Sequence, residues 1–106
     1  MTTINVTATF TRKDTTLPWH SDGTADSLLV ELQPQYDNLV SNTYKNSVVQ
    51  NVTKVDDTTL QVTQSWSDDA KFNEWIGLPF TTQYLAAVKN YYDSNGGSVT
   101  SDVQKV

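Results

Sequence analysis

The sequence contains no cysteine and little of the chemistry that metal sites and nucleophilic enzymes require. The absence of cysteine excludes disulfides, thiolate metal ligands and cysteine nucleophiles. His20 is the only histidine and Arg12 the only arginine. Transition-metal sites usually combine several imidazole or thiolate ligands, which one histidine and scattered aspartates do not supply. We therefore expect neither a metal nor a cofactor.

Basic residues are also scarce, since the chain carries 7 Lys and Arg against 12 Asp and Glu, a net charge of −5. Nucleic-acid binding requires clustered positive charge, so we expect no nucleic-acid partner. No segment approaches the roughly 20 apolar residues of a membrane span. Residues 1–6 lack the basic and apolar regions of a signal peptide. These features predict a cytoplasmic protein with no membrane association.

Apolar residues alternate with polar ones in several segments, which is typical of half-buried strands. The pattern predicts strands over 4–10, 48–55 and 59–66, and a short closing strand that contains Val99 and Val103. An aspartate-containing turn separates the second and third runs, which indicates a hairpin.

Two longer segments, 25–43 and 68–95, carry apolar residues at the three- and four-residue steps of a helix. Each contains an interruption. Pro34 in the first helix predicts a kink or a division into two short helices. Gly77-Leu-Pro79 predicts a break in the second.

The order strand, helix, strand, strand, helix, strand predicts a ferredoxin-like α+β fold in one domain, residues 1–106. Its four-stranded antiparallel sheet would carry both helices on one face. The opposite face would be polar but uncharged, which suits either a second subunit or simple exposure of threonine, a good strand residue. Its residues are Asn5, Thr7, Thr9, Gln61, Thr63 and Ser65.

The strand-to-helix junction Trp66-Ser-Asp-Asp-Ala-Lys-Phe-Asn-Glu-Trp75 resembles that of the dimeric α+β barrel superfamily. This superfamily includes the small antibiotic-biosynthesis monooxygenase-like proteins. Pro79 and the helix from Tyr84 to Tyr92 are similar to the broken second helix of that group. The resemblance implies a ferredoxin-like fold and a homodimer whose sheets face one another.

The same superfamily contains enzymes that oxidise aromatic substrates without a cofactor, and others that degrade haem with a histidine on the second helix. Residues 68–95 contain no histidine. We therefore do not expect this chain to degrade haem.

Aromatic residues of the third strand and second helix could wall an apolar pocket, although the same spacing suits a solid core. An oxygenase of this family would need a cavity beside these aromatics with a polar group turned inward. The candidate pocket residues are His20, Gln64, Trp66, Asn73, Trp75 and Tyr84.

The loop at 11–24 contains His20 beside Ser21 and Asp22, but adjacent residues do not orient one another as a catalytic triad. We expect this histidine at the surface. The leading hypothesis is a non-enzymatic homodimeric protein with a structural or accessory role. The alternatives are a cofactor-independent oxygenase and a small-ligand or partner-binding module that uses Trp19.

Overall fold

The computed structural model describes residues 3–22 and 25–106. The sequence offers Asp26 or Thr24 as the cap of the first helix; Asp26 accepts a hydrogen bond from the Leu29 backbone N–H at 2.7 Å, and Thr24 lies outside the described residues. The strands are β1 (Ile4–Thr11), β2 (Val48–Asp56), β3 (Thr59–Trp66) and β4 (Ser98–Lys105). The helices are α1 (Ser27–Asn38), continued by a π-helical segment (Leu39–Thr43), α2 (Asp69–Ile76) and α3 (Pro79–Ser94).

The four strands form one antiparallel sheet in the order β2-β3-β1-β4. Ile4 pairs with Trp66 at one end of β1, and Phe10 pairs with Leu60 at the other. Because side chains alternate between faces, this register sends the apolar positions of β1 and β3 to one face. The element order and sheet confirm the ferredoxin-like α+β fold predicted from the sequence.

The first helix differs from expectation, because α1 runs through Pro34 as a single helix and is not divided there. Proline leaves the carbonyl of Val30, four residues earlier, without its helical donor. Both Val30 and Pro34 face solvent, where water can satisfy that carbonyl. Leu29 and Tyr36, on either side of the proline, are buried in the same core, which favours one continuous helix over two separate ones. The irregular turn comes later, at Leu39–Thr43.

The second helical region is divided as predicted. Asp68 caps α2 by accepting a hydrogen bond from the backbone N–H of Ala70 at 2.9 Å. Gly77 ends this helix, and Pro79 begins α3 at the first helical position, where its missing N–H costs nothing. In the described residues, no helix is both long enough and apolar enough to cross a bilayer.

Aromatic side chains form two clusters between the sheet and the helices. One lies around Trp66, whose ring centroid is 5.3 Å from that of Trp75 and 5.4 Å from that of Tyr44. The other surrounds Phe10, which contacts Tyr92. Phe10 pairs with Leu60, which lies six positions before Trp66 on β3, or about 20 Å away at ~3.3 Å per residue. The space between the two clusters holds the cavity described next.

Candidate functional site

A cavity of about 380 Å³ lies between the sheet and the helices. Small-molecule sites usually occupy roughly 300–1,000 Å³, so this volume suits a small organic ligand. The floor is formed by the sheet and the roof by α1, α2 and α3. Residues that line it include Val6, Ala8, Phe10, His20, Gln33, Tyr36, Gln50, Val52, Leu60, Val62, Gln64, Phe72, Trp75, Tyr84 and Val88.

The cavity opens to solvent through an apolar mouth. Val52 on β2 and Val103 on β4 lie on the helix-facing side of the sheet, yet they are 59% and 51% exposed. Ile76 and Leu85 on the helices are also exposed and line the same cavity. The helices therefore leave part of the inner sheet face uncovered, and a ligand entering there would bury apolar surface.

A buried hydrogen-bond network lies at the Trp66 end. The indole Nε1 of Trp66 donates to Oε1 of Gln64 at 3.1 Å. Because an indole N–H can only donate, it fixes which end of the Gln64 amide faces it. The Gln64 amide nitrogen therefore points the other way, and it donates to the Tyr36 hydroxyl at 2.9 Å and to Oε1 of Gln50 at 3.0 Å.

The same network sets the orientation of Gln50, a cavity-lining residue of β2. Its Oε1 also accepts a hydrogen bond from the Tyr36 hydroxyl at 2.6 Å. With the oxygen so occupied, the Gln50 amide nitrogen is turned away from the network. Among the described residues this nitrogen has no partner, so Gln50 can offer amide hydrogens to a ligand.

Two stacked tyrosines form part of the roof. The rings of Tyr36 and Tyr84 lie 4.2 Å apart at 10°. The Tyr84 hydroxyl donates to Oε1 of Gln33 at 2.7 Å, and Nε2 of Gln33 donates to the Asp37 carboxylate. Burial raises the pKa of both phenols well above the usual range. Both tyrosines therefore stay protonated and act as neutral hydrogen-bonding groups.

The loop after β1 closes the other end of the cavity. Arg12 ties this loop down by donating to the Leu17 and Asp57 carbonyls, each at 2.8 Å. Its guanidinium also lies 4.0 Å from the centre of the Trp19 ring. Tyr91 on α3 donates to the carbonyl of Pro18. The contacts of Arg12 and Tyr91 thus tie down residues 12–20 of this loop, and Trp19 is half-buried within that stretch.

His20 was expected at the surface, but it is only 5% exposed and lines the cavity. Its ring packs 4.5 Å from that of Phe10. The Tyr92 hydroxyl lies 2.8 Å from Nδ1 of His20 and 3.0 Å from its backbone nitrogen. Burial lowers the pKa of His20 to about 4, partly opposed by the nearby Asp22 carboxylate. The imidazole is therefore neutral at physiological pH.

The candidate pocket residues of the sequence separate into three groups. His20, Gln64, Trp75 and Tyr84 line the cavity. Trp66 is fully buried behind Gln64, to which it donates. Asn73 is exposed on α2 and does not line the cavity, because its position on the helix turns it away from Phe72 and Trp75.

Several lining residues were missed from the sequence, notably Tyr36, Gln33 and Gln50. Gln50 and Gln64 had a detectable signal, because each occupies an inward position of its strand, two residues from a valine. A glutamine at such a position predicts either a satisfied core amide or a ligand contact. Among the described residues, no group of three or more His, Asp and Glu side chains is arranged to hold a metal ion.

The sequence matches no protein-family model and no curated protein. Solved structures are similar in fold. A proposed antibiotic biosynthesis monooxygenase from Deinococcus radiodurans aligns with 97% of this chain and 91% of its own, with a TM-score of 0.62 and 11% identity.

A proposed antibiotic biosynthesis monooxygenase from Caulobacter crescentus covers 98% of this chain and 89% of its own (TM-score 0.59, 13% identity). Rv0793 from Mycobacterium tuberculosis covers 94% and 92% (TM-score 0.55, 18% identity). The resemblance to antibiotic-biosynthesis monooxygenase-like proteins is thus confirmed at the level of the fold.

Proposed function

We propose that this protein binds a small, flat and largely apolar molecule in the cavity between its sheet and its helices. The observation that carries the proposal is the cavity itself, about 380 Å³ with exposed valines at its mouth. A purely structural domain gains nothing from such a space, because an open core forfeits packing and hydrophobic free energy.

The walls indicate the shape of the ligand. The stacked Tyr36 and Tyr84 rings lie above the cavity, and the small side chain of Ala8 lies on its floor. Aromatic rings stack favourably on flat aromatic ligands. A planar ring system is therefore the class of molecule that this cavity suits best.

Fluorene, a flat tricyclic hydrocarbon, provides a direct test. Titration with fluorene should change the tryptophan fluorescence up to a plateau, because Trp75 lines the cavity. Bound fluorene should also raise the melting temperature of the protein. Ala8→Leu should fill the floor and abolish binding without loss of stability. Thr9→Leu, its neighbour on the opposite sheet face, should leave binding intact. Saturable binding that Ala8→Leu leaves unchanged would contradict the proposed site.

A second candidate function is cofactor-independent oxidation of an aromatic ligand. It is supported by the activity for which several structures of the same fold are named. In such a reaction O₂ would convert a ring CH₂ to C=O, one oxygen atom entering the ligand and the other leaving as water.

Anthrone is a suitable substrate for this second candidate, because its central CH₂ loses a proton readily. Oxidation should consume O₂ and form anthraquinone faster with the protein than without it, and Ala8→Leu should remove the acceleration. If anthrone binds but oxidises at the uncatalysed rate, the protein is a binding module and this candidate is wrong.

We also propose that two copies associate through the outer sheet face. Thr7, Thr9, Gln61 and Thr63 on this face are uncharged and only half-exposed, while Val49 on the same side of β2 is 65% exposed. Light scattering should then give twice the 11.8 kDa mass of one chain. Thr63→Lys should yield the single-chain mass, whereas Ser41→Lys on the helical side should not. A single-chain mass for the unaltered protein would overturn this proposal.

A further inference from the structure

The hydrogen bonds around buried His20 determine which nitrogen of its ring carries the hydrogen. His20 contacts the Tyr92 hydroxyl through two atoms, its backbone nitrogen and Nδ1. The backbone N–H can only donate, so the Tyr92 oxygen accepts there. The Tyr92 phenol has one hydrogen to donate. The tautomer of the His20 ring determines whether Nδ1 can accept it.

If Nδ1 carried a hydrogen, the Tyr92 oxygen would accept twice and its own hydrogen would have no acceptor among the described residues. If Nδ1 is bare, the phenol donates to Nδ1 and accepts from the backbone N–H, so the hydroxyl, Nδ1 and the backbone nitrogen are all paired. Burial raises the pKa of Tyr92 to about 12, so the phenol keeps its hydrogen. The second arrangement is therefore favoured, and it places the imidazole hydrogen on Nε2.

No described residue accepts a hydrogen bond from Nε2. His20 is buried and lines the cavity, so a ligand bound there can supply the missing acceptor. The ring packs against two neighbouring aromatic rings, Phe10 at 4.5 Å and Tyr92 at 5.6 Å between centroids.

We propose that His20 is a specificity-determining residue that donates its Nε2–H to an acceptor oxygen of the ligand, and that Tyr92 is the positioning residue that fixes this tautomer. This role rests on the proposed binding function and names the ligand more closely. The preferred ligand carries a carbonyl or similar oxygen on the edge of its ring system that faces the β1–α1 loop.

The glutamine network lies at the far end of the same cavity. Phe10, which contacts the His20 ring, pairs with Leu60, four residues before Gln64 along β3. Four residues of strand span about 13 Å at ~3.3 Å each. His20 can therefore contact the carbonyl of the ligand independently of Gln50, which lies at the other end of the cavity.

A matched pair of probes tests the role of His20. Fluorene and 9-fluorenone share one ring frame, and only the latter carries a carbonyl acceptor. Fluorenone should bind the unaltered protein about fivefold to tenfold more tightly, the usual net contribution of one hydrogen bond. His20→Phe should remove this preference, so that the two probes bind the variant with equal affinity. His20→Gln, which retains a donor near the position of Nε2, should restore it.

Nitrogen-15 NMR gives a readout that needs no ligand, since the chain has one histidine. The spectrum should show a hydrogen on Nε2 and a bare Nδ1 at neutral pH, and Tyr92→Phe should mix the two tautomers and weaken the fluorenone preference. A hydrogen on Nδ1 would overturn the proposal. Equal binding of both probes would contradict the role of His20 alone, whereas failure of both to bind would contradict the proposed function itself.

Discussion

The indole nitrogen of Trp66 lies 3.1 Å from the amide oxygen of Gln64 and thereby fixes the direction of every hydrogen bond in the network behind the cavity. Gln64 makes three such bonds while only 5% exposed. Its amide supplies one acceptor and two donors to partners that differ in chemistry. Substitutions that keep its size but change this pattern should therefore be costly.

Gln64→Leu should lower the free energy of unfolding by about 2–4 kcal/mol, because Trp66 Nε1 would be left buried without an acceptor. Urea denaturation measures this directly. Gln61→Leu on the same strand places the identical change on the outer face and should alter stability by less than about 0.5 kcal/mol. Equal costs at the two positions would contradict the network.

Two substitutions distinguish the contribution of the Tyr84 hydroxyl to stability from that of its ring. Tyr84→Phe should cost about 1 kcal/mol, since it removes the hydrogen bond to Gln33 but keeps the stack on Tyr36. Tyr84→Ala should cost about 3–5 kcal/mol, because it also opens the roof of the cavity. Thermal unfolding of both variants checks the order, and a larger loss for Tyr84→Phe would refute it.

Stability should fall as the pH is lowered from about 6.5 to about 4. In the unfolded chain His20 takes up a proton near its ordinary pKa of 6.5, whereas in the folded protein burial lowers that pKa to about 4. The unfolded state therefore binds more protons within this window, and the folded state loses roughly 3 kcal/mol across it.

The charged groups near His20 are Asp22 in its own loop and Arg12, which acts on the adjacent Tyr92. Asp14 and Asp56 have pKa values lowered by hydrogen bonds to threonines, so their protonation matters only below about pH 4. Urea denaturation of His20→Gln at several pH values is the control. Its stability should stay level between pH 6.5 and pH 4, and a persistent decline would assign the effect elsewhere.

Gly97 lies against the backbone of β1. A Cβ at this position would collide with the Thr11 carbonyl, a rigid group that cannot move aside. Gly97→Ala should therefore destabilise the protein by about 1–3 kcal/mol and shift the loop that carries His20. Gly77→Ala, where the nearest atom lies 3.2 Å away, should cost less. Calorimetry of the two variants decides, and equal melting temperatures would contradict the close approach.

The sheet and its helices were predictable because the relevant signals are local. The alternation of Leu60, Val62 and Trp66 with polar residues predicts one strand with one apolar face, and the run Ser67-Asp-Asp69 predicts a helix start. These patterns depend on neighbours in the sequence. They need no knowledge of the rest of the fold.

The cavity and the inward position of His20 were not predictable in the same way. His20 is held by Tyr92, 72 residues away, and Pro18 by Tyr91, 73 residues away. The local sequence, a histidine followed by serine and aspartate in a loop, does not indicate these long-range contacts. Pro34 was misjudged for a related reason, since burial of Leu29 and Tyr36 in one core outweighs the local preference to end the helix.

The tie between the β1–α1 loop and α3 also bears on the order of folding. Closing a segment of 72 residues costs more chain entropy than forming the β2–β3 hairpin, so the His20–Tyr92 contact should form after the folding transition state. Substitutions there should accelerate unfolding and leave the folding rate nearly unchanged. The wall that completes the cavity would then be the last part to assemble and the first to open.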